Sequence, residues 1–221
     1  MYKFLFVFIA AAVSGQLYAH PIVNVKTNMG EFLIELYPDE APKTVANFLR
    51  YVNDGFYNGT VFHRVINRFM IQGGALGSDL APKLTYEAIP NEAANGLLNQ
   101  PGTVAMARAY NPDSATSQFF INVEDNKFLN HYKPEPDYFG YAVFGKVIKG
   151  MEVVRQIAAV PTAASGPFAS DVPIQPVVME KVTVVNEPMV LRIEEPDPII
   201  KPKAAPPPIK NSRSKKKPAK S

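Results

Sequence analysis

The chain has 221 residues, 47% of them apolar, and a net charge of +3. That suffices for one ordinary domain with its own core, and the charge is too small to name a partner by itself. There is no cysteine, which excludes a disulfide framework, a thiolate metal site, a cysteine nucleophile and an acylated-cysteine anchor.

The N-terminus reads as a secretory signal peptide over residues 1–19. Lys3 precedes an unbroken apolar run from Phe4 to Val13, Ser14-Gly15-Gln16 interrupts it, and Leu17-Tyr18-Ala19 offers a cleavage site. The run is too short for a bilayer, which needs about 20 apolar residues. The expected mature chain starts at His20 and is periplasmic or secreted.

Residues 20–186 alternate short apolar runs with Gly, Pro and Asn turns. A strand over 22–27 is followed by the turn Asn28-Met29-Gly30 and a second strand over 31–37, where Phe32, Ile34 and Leu36 share one face. The period then changes. Val45, Phe48, Leu49 and Val52 fall at i, i+3, i+4 and i+7, the spacing of an amphipathic helix, with Pro42 in its first turn and Gly55 at its stop. Strands are predicted over 61–65, 69–72, 103–107, 119–122 and 142–147. Met151, Val154, Ile157 and Ala158 predict a second helix, and 177–185 a last strand. Many short strands and two helices indicate a mainly β domain, either a closed antiparallel barrel or a sandwich; periodicity does not choose between them. From residue 187 the chain is Pro- and Lys-rich, with eight Lys or Arg and no acid beyond Ile199, and is expected to be disordered.

One stretch carries specific chemistry. Phe62-His63-Arg64-Val65-Ile66-Asn67-Arg68-Phe69-Met70-Ile71-Gln72-Gly73-Gly74 resembles the cyclophilin motif. Four more segments match in order: Gly55-Phe56-Tyr57, Gly102-Thr103-Val104-Ala105-Met106-Ala107, Ser117-Gln118-Phe119-Phe120-Ile121, and Val143-Phe144-Gly145-Lys146-Val147. The resemblance covers about residues 22–186. Through 113–118 and 137–144 the chain is most similar to bacterial periplasmic cyclophilins. The resemblance implies a closed eight-stranded antiparallel β-barrel capped by two α-helices, with a proline-binding groove on its outer wall. The implied activity is peptidyl-prolyl cis/trans isomerisation, without cofactor or metal, in proline-containing segments of unfolded exported proteins. A monomer is expected.

The resemblance also assigns roles. Arg64 matches the catalytic arginine, and Gln72 and Gln118 the polar groups that orient it and the substrate backbone. Phe69, Met70, Phe120 and Leu129 match the walls of the proline pocket. Ala107 and Ala109 match small residues flanking the groove, with Arg108 between them offering main-chain contacts. Phe128 stands where many cyclophilins have a tryptophan that binds cyclosporin, so weak cyclosporin binding is expected. Tyr141 stands where a histidine is frequent. Asn67-Arg68 replaces a usual Pro-Gly and adds a charge near the groove mouth. His63 is expected to be structural.

Other signals carry less. Residues 140–147 nearly spell a phosphate loop but end in Val147 where a Ser or Thr is required. Ser114 and Ser117 lack a nucleophile elbow, and His20, His63 and His131 lack metal-ligand spacing. Asn58-Gly59-Thr60 is a glycosylation sequon. Residues 76–99 match no nameable chemistry. The basic tail either holds the protein near an anionic surface or is a solvated extension. A groove that binds proline segments without turnover is the competing function.

Overall fold

The computed structural model describes residues 20–185; the predicted signal segment and the basic tail lie outside them. The first hairpin forms as its alternation dictates. Strands β1 (Ile22–Thr27) and β2 (Gly30–Leu36) pair antiparallel, and Phe32, Ile34 and Leu36 are buried inside. Helix α1 (Pro42–Asn53) follows, with proline in its first turn and Val45, Phe48, Tyr51 and Val52 on its buried face. Strands β3 (Thr60–Ile66) and β4 (Met70–Gly77) form the next hairpin. Then come β5 (Thr103–Met106), β6 (Phe119–Asn122), β7 (Val143–Lys149), helix α2 (Met151–Ala158), a hairpin of β8 (Thr162–Ser165) and β9 (Phe168–Pro173), and β10 (Val178–Val185).

Eight of these strands close into an antiparallel barrel in the order β1-β10-β3-β4-β6-β5-β7-β2. The barrel, not the sandwich, is therefore the architecture, and closure leaves none of its eight strands with an unpaired edge. The interior is filled by one apolar cluster that includes Val23, Phe32, Ile34, Phe62, Ile71, Phe119 and Phe144, joined by Phe48 from α1 and Val154 and Ile157 from α2.

Several predicted bounds shift. Phe69 lies before β4, in a turn where Arg68 has φ 57° and the Phe69 N–H donates to the Ile66 carbonyl. Ala107 lies beyond β5 and Ala142 before β7. The β8–β9 hairpin is absent from the sequence reading: β8 is exposed along its whole length, so it has no buried face to imprint a period. The segment 76–99, silent as chemistry, has a structural task. Glu92 accepts hydrogen bonds from the backbone N–H groups of Lys43 (3.0 Å) and Thr44 (2.8 Å) and from the Thr44 hydroxyl (2.7 Å). A carboxylate there satisfies free donors at the positive end of α1.

Candidate active site

The outer wall of the barrel bears a second, separate apolar cluster. Along β4, Ile71 points inward, so Met70 and Gln72 point outward; along β6, Phe119 and Ile121 point inward and Phe120 outward. Met70, Ala105, Phe120 and Val143 thus form an external patch, with Phe69, Ala107, Leu129 and Tyr141 packed around it.

A β-bulge aims the arginine at this patch. On β3, Phe62 pairs with Gly73 and Arg64 with the very next residue, Gln72, so His63 is an extra residue. Phe62 and Val65 both enter the core while His63 and Arg64 between them both face out. Strict alternation would place Arg64 inside.

The result is a groove of about 640 Å³ lined by Arg64, Gln72 and Gln118 along its polar side and by Phe69, Met70, Phe120, Phe128 and Leu129 around its apolar side. Arg64 Nη1 donates to Gln72 Oε1 at 3.4 Å, and Gln72 Nε2 donates to Gln118 Oε1 at 2.9 Å. This chain of amides orients the guanidinium without neutralising it; the Arg64 fork keeps free donors toward solvent. Phe128 rides on a 3-10 turn (Lys127–Leu129), stacks on Phe69 with centroids 5.6 Å apart, and is 68% exposed. Tyr141 meets Phe120 edge-on at 5.6 Å.

Arg108 does something its backbone role did not foretell. Nε donates to the Gly140 carbonyl (2.9 Å), Nη2 to Pro136 (2.9 Å), and Nη1 to Ala109 (3.0 Å) and Tyr110 (3.1 Å). Its Cζ also lies 4.9 Å from the centre of the Tyr141 ring. The side chain clasps the 107–110 flank to the 136–141 loop.

Ala109 is the one predicted site residue that does not line the groove. It is exposed, its N–H donates to Ser114 Oγ at 2.9 Å and its carbonyl accepts from Arg108, so its backbone is already committed. Two lining residues, Leu76 and Phe168, carry no assignment from the sequence, and His63, expected to be structural, lines the groove as well. Phe168 comes from the unforeseen hairpin and packs on His63 at 5.5 Å. His63 is nearly fully buried, and burial, aided by the Arg64 cation, pushes its pKa down to about 4. Its ring is neutral at pH 7 and its Nδ1 lacks a hydrogen-bond partner, which suits a packing residue and not an acid.

Comparison with known proteins agrees with this geometry. The family model for cyclophilin type peptidyl-prolyl cis-trans isomerase/CLD matches residues 22–184. A peptidyl-prolyl cis-trans isomerase of Acinetobacter baylyi is 56% identical over 165 residues, covering 75% of this chain and 86% of that protein. Peptidyl-prolyl cis-trans isomerase B of Escherichia coli is 52% identical over 163 residues, covering 74% and 99%. A Cryptosporidium parvum cyclophilin type peptidyl-prolyl cis-trans isomerase, crystallised in the presence of the dipeptide Ala-Pro, superposes with a TM-score of 0.61 at 27% identity, covering 75% of this chain and 99% of that one. The chain belongs to the cyclophilin family of peptidyl-prolyl cis-trans isomerases.

Proposed function

We propose that this isomerase acts on X–Pro bonds of exported polypeptides, with Arg64 as the catalytic donor and the Phe69, Met70, Phe120 and Leu129 surface as the seat of the pyrrolidine ring. Rotation about the bond faces a barrier of about 18–20 kcal/mol because the amide loses resonance in the twisted state. No covalent bond breaks, so catalysis requires only that the twisted state be held better than the planar ones. As resonance is lost the prolyl nitrogen becomes pyramidal and regains its lone pair. A guanidinium N–H donates to that nitrogen, or to the neighbouring carbonyl, and is permanently charged, so it needs no proton transfer. The apolar wall holds the ring while the chain on its other side rotates.

The observation that carries this reading is the bulge-presented Arg64, steadied by Gln72 at 3.4 Å beside an external apolar patch. That the Cryptosporidium relative was crystallised in the presence of Ala-Pro supports a proline-containing ligand. The test is the isomerisation rate of a short X–Pro peptide. Arg64→Ala lowers kcat/KM by about 10²–10³, the cost of one preorganised donor. Equal rates in both proteins at a well-formed barrel overturn the role of Arg64; spontaneous rates in both leave a binding groove without turnover.

The export context rests on the sequence of residues 1–19 and is tested by the N-terminus of the matured protein, expected at His20. Weak cyclosporin binding rests on a phenyl ring at Phe128, where an indole would add area and an N–H. A role for the basic tail at anionic surfaces is tested by deleting residues 199–221: lost binding to anionic vesicles with unchanged peptide turnover supports it.

A further inference from the structure

Behind the apolar wall of the groove lies a buried cluster of asparagine amides that neither the barrel core nor the chemistry of Arg64 uses. Asn99 and Asn122 are fully buried, Asn126 and Asn130 nearly so. Asn126 Nδ2 donates to the Phe69 carbonyl at 3.0 Å and to Asn122 Oδ1 at 2.8 Å. Asn122 Nδ2 donates to Asn99 Oδ1 at 3.1 Å and to Thr103 Oγ1 at 2.9 Å. Asn99 Nδ2 donates to the Leu129 carbonyl at 3.1 Å and to Asn130 Oδ1 at 3.2 Å, and the Asn99 backbone N–H reaches the same oxygen at 2.7 Å. Each of the three amide nitrogens has both protons engaged, and no polar atom of these four side chains that is closed off from solvent lacks a partner.

The two ends of this chain of donors are the carbonyls of Phe69 and Leu129, two residues that line the proline pocket. Both residues sit outside regular strands, Phe69 in the turn before β4 and Leu129 at the end of a 3-10 turn. The Phe69 carbonyl also accepts the Val123 N–H at 2.9 Å and the Leu129 carbonyl the Tyr141 N–H at 3.0 Å, but neither of these backbone bonds joins the two residues to each other. An apolar filling would stabilise the region at least as well, because burying amides requires every one to be paired. Paired amide donors that run from Asn126 to Phe69 on one side and through Asn122 and Asn99 to Leu129 on the other instead favour a single geometry.

We propose that Asn126, Asn122 and Asn99 are positioning residues that set the width of the proline pocket and thereby its affinity for the pyrrolidine ring. The inference rests on the assignment of that pocket to proline. It separates two functions: Arg64, Gln72 and Gln118 act on the twisted bond, and the asparagine cluster acts on ground-state binding.

The test uses the full chain and a short X–Pro peptide, with KM and kcat measured separately and peptide Kd from titration. Asn126→Asp keeps the size but replaces a two-proton donor by a carboxylate facing two acceptor oxygens. At pH 7 the expected result is a KM and Kd raised about tenfold, as for a wall misplaced by a fraction of an ångström, with kcat changed less than threefold. Lowering the pH protonates the buried carboxyl, whose pKa is raised by burial; it donates again, and affinity returns toward the parent's. Val154→Ala, a core truncation at α2, serves as the control that loses stability without raising KM. An unchanged KM and Kd in a folded Asn126→Asp protein overturns the proposal, as does an equal rise in Val154→Ala. If Asn126→Asp does not fold, Asn130→Ser at the rim of the cluster is judged by the same criteria. Absence of turnover by the parent chain overturns the catalytic reading instead, and the peptide Kd values then decide the role of the cluster.

Discussion

Replacing Arg108 by alanine removes the clasp between the groove flank and the 136–141 loop. Of its four carbonyl partners, those of Gly140 and Pro136 are part-buried, and those of Ala109 and Tyr110 are exposed to water that substitutes for the lost donors. A hydrogen bond from a charged donor contributes about 1.5–3 kcal/mol where water cannot replace it. Taking the low end for the two part-buried bonds, and about 0.5 kcal/mol for the cation over Tyr141, the loss is about 3–4 kcal/mol. For a domain of this size each kcal/mol moves Tm by about 2–4 °C, so the expected fall is about 6–16 °C by calorimetry. Arg108→Lys restores little, because an ammonium has no planar fork to span carbonyls on two segments. A fall below about 2 °C in Arg108→Ala refutes the clasp and means that the loop is held by its backbone bonds alone.

Two further outcomes follow from geometry and burial. Gly140 has φ +78° and an added Cβ would stand 2.6 Å from backbone atoms of Asn130 and His131, whereas Gly59 has φ +80° and open space around it. Gly59→Ala therefore costs about 1–2 kcal/mol of left-handed backbone, and Gly140→Ala costs clearly more, measured by urea unfolding; equal losses refute the clash. His63, whose folded pKa of about 4 lies below the ordinary 6.5, is neutral in the fold over a range where the unfolded chain takes up a proton. Its contribution is unchanged above pH 6.5, falls as the pH drops from 6.5 toward 4, and levels off below that, about 3 kcal/mol in all. His63→Gln flattens that part of the pH–stability curve, and an unaltered slope refutes the assignment.

The interior was legible because burial on one side leaves a period: Phe32, Ile34 and Leu36 on β2, and Val45, Phe48 and Val52 on α1, declared their faces. The groove was not legible by period. Its walls are also buried residues, and Met70 and Phe120 cannot be told from core by hydrophobicity. They emerged only through a resemblance covering the whole motif order. Ala109 was carried over by that resemblance, yet Ser114 and Arg108 occupy its backbone here. Phe168 left no trace because its hairpin is short and the β8 strand that pairs with it is exposed. The asparagine cluster was hidden for a different reason: Asn99, Asn122, Asn126 and Asn130 lie in turn-rich sequence where asparagine is ordinarily a surface residue.

The extra residue in β3 also bears on how such a protein tolerates change. Substitution anywhere along the strand leaves the backbone count intact, so Arg64 stays outside even when its neighbours vary. Loss of a single codon between Phe62 and Val65 is another matter. The strand would regain perfect alternation, an improvement by any local measure of sheet regularity, and would have one outward place where the protein now has two. Length is thus under tighter constraint here than identity, because only the deletion that removes His63 itself would leave Arg64 in the single outward place that remains.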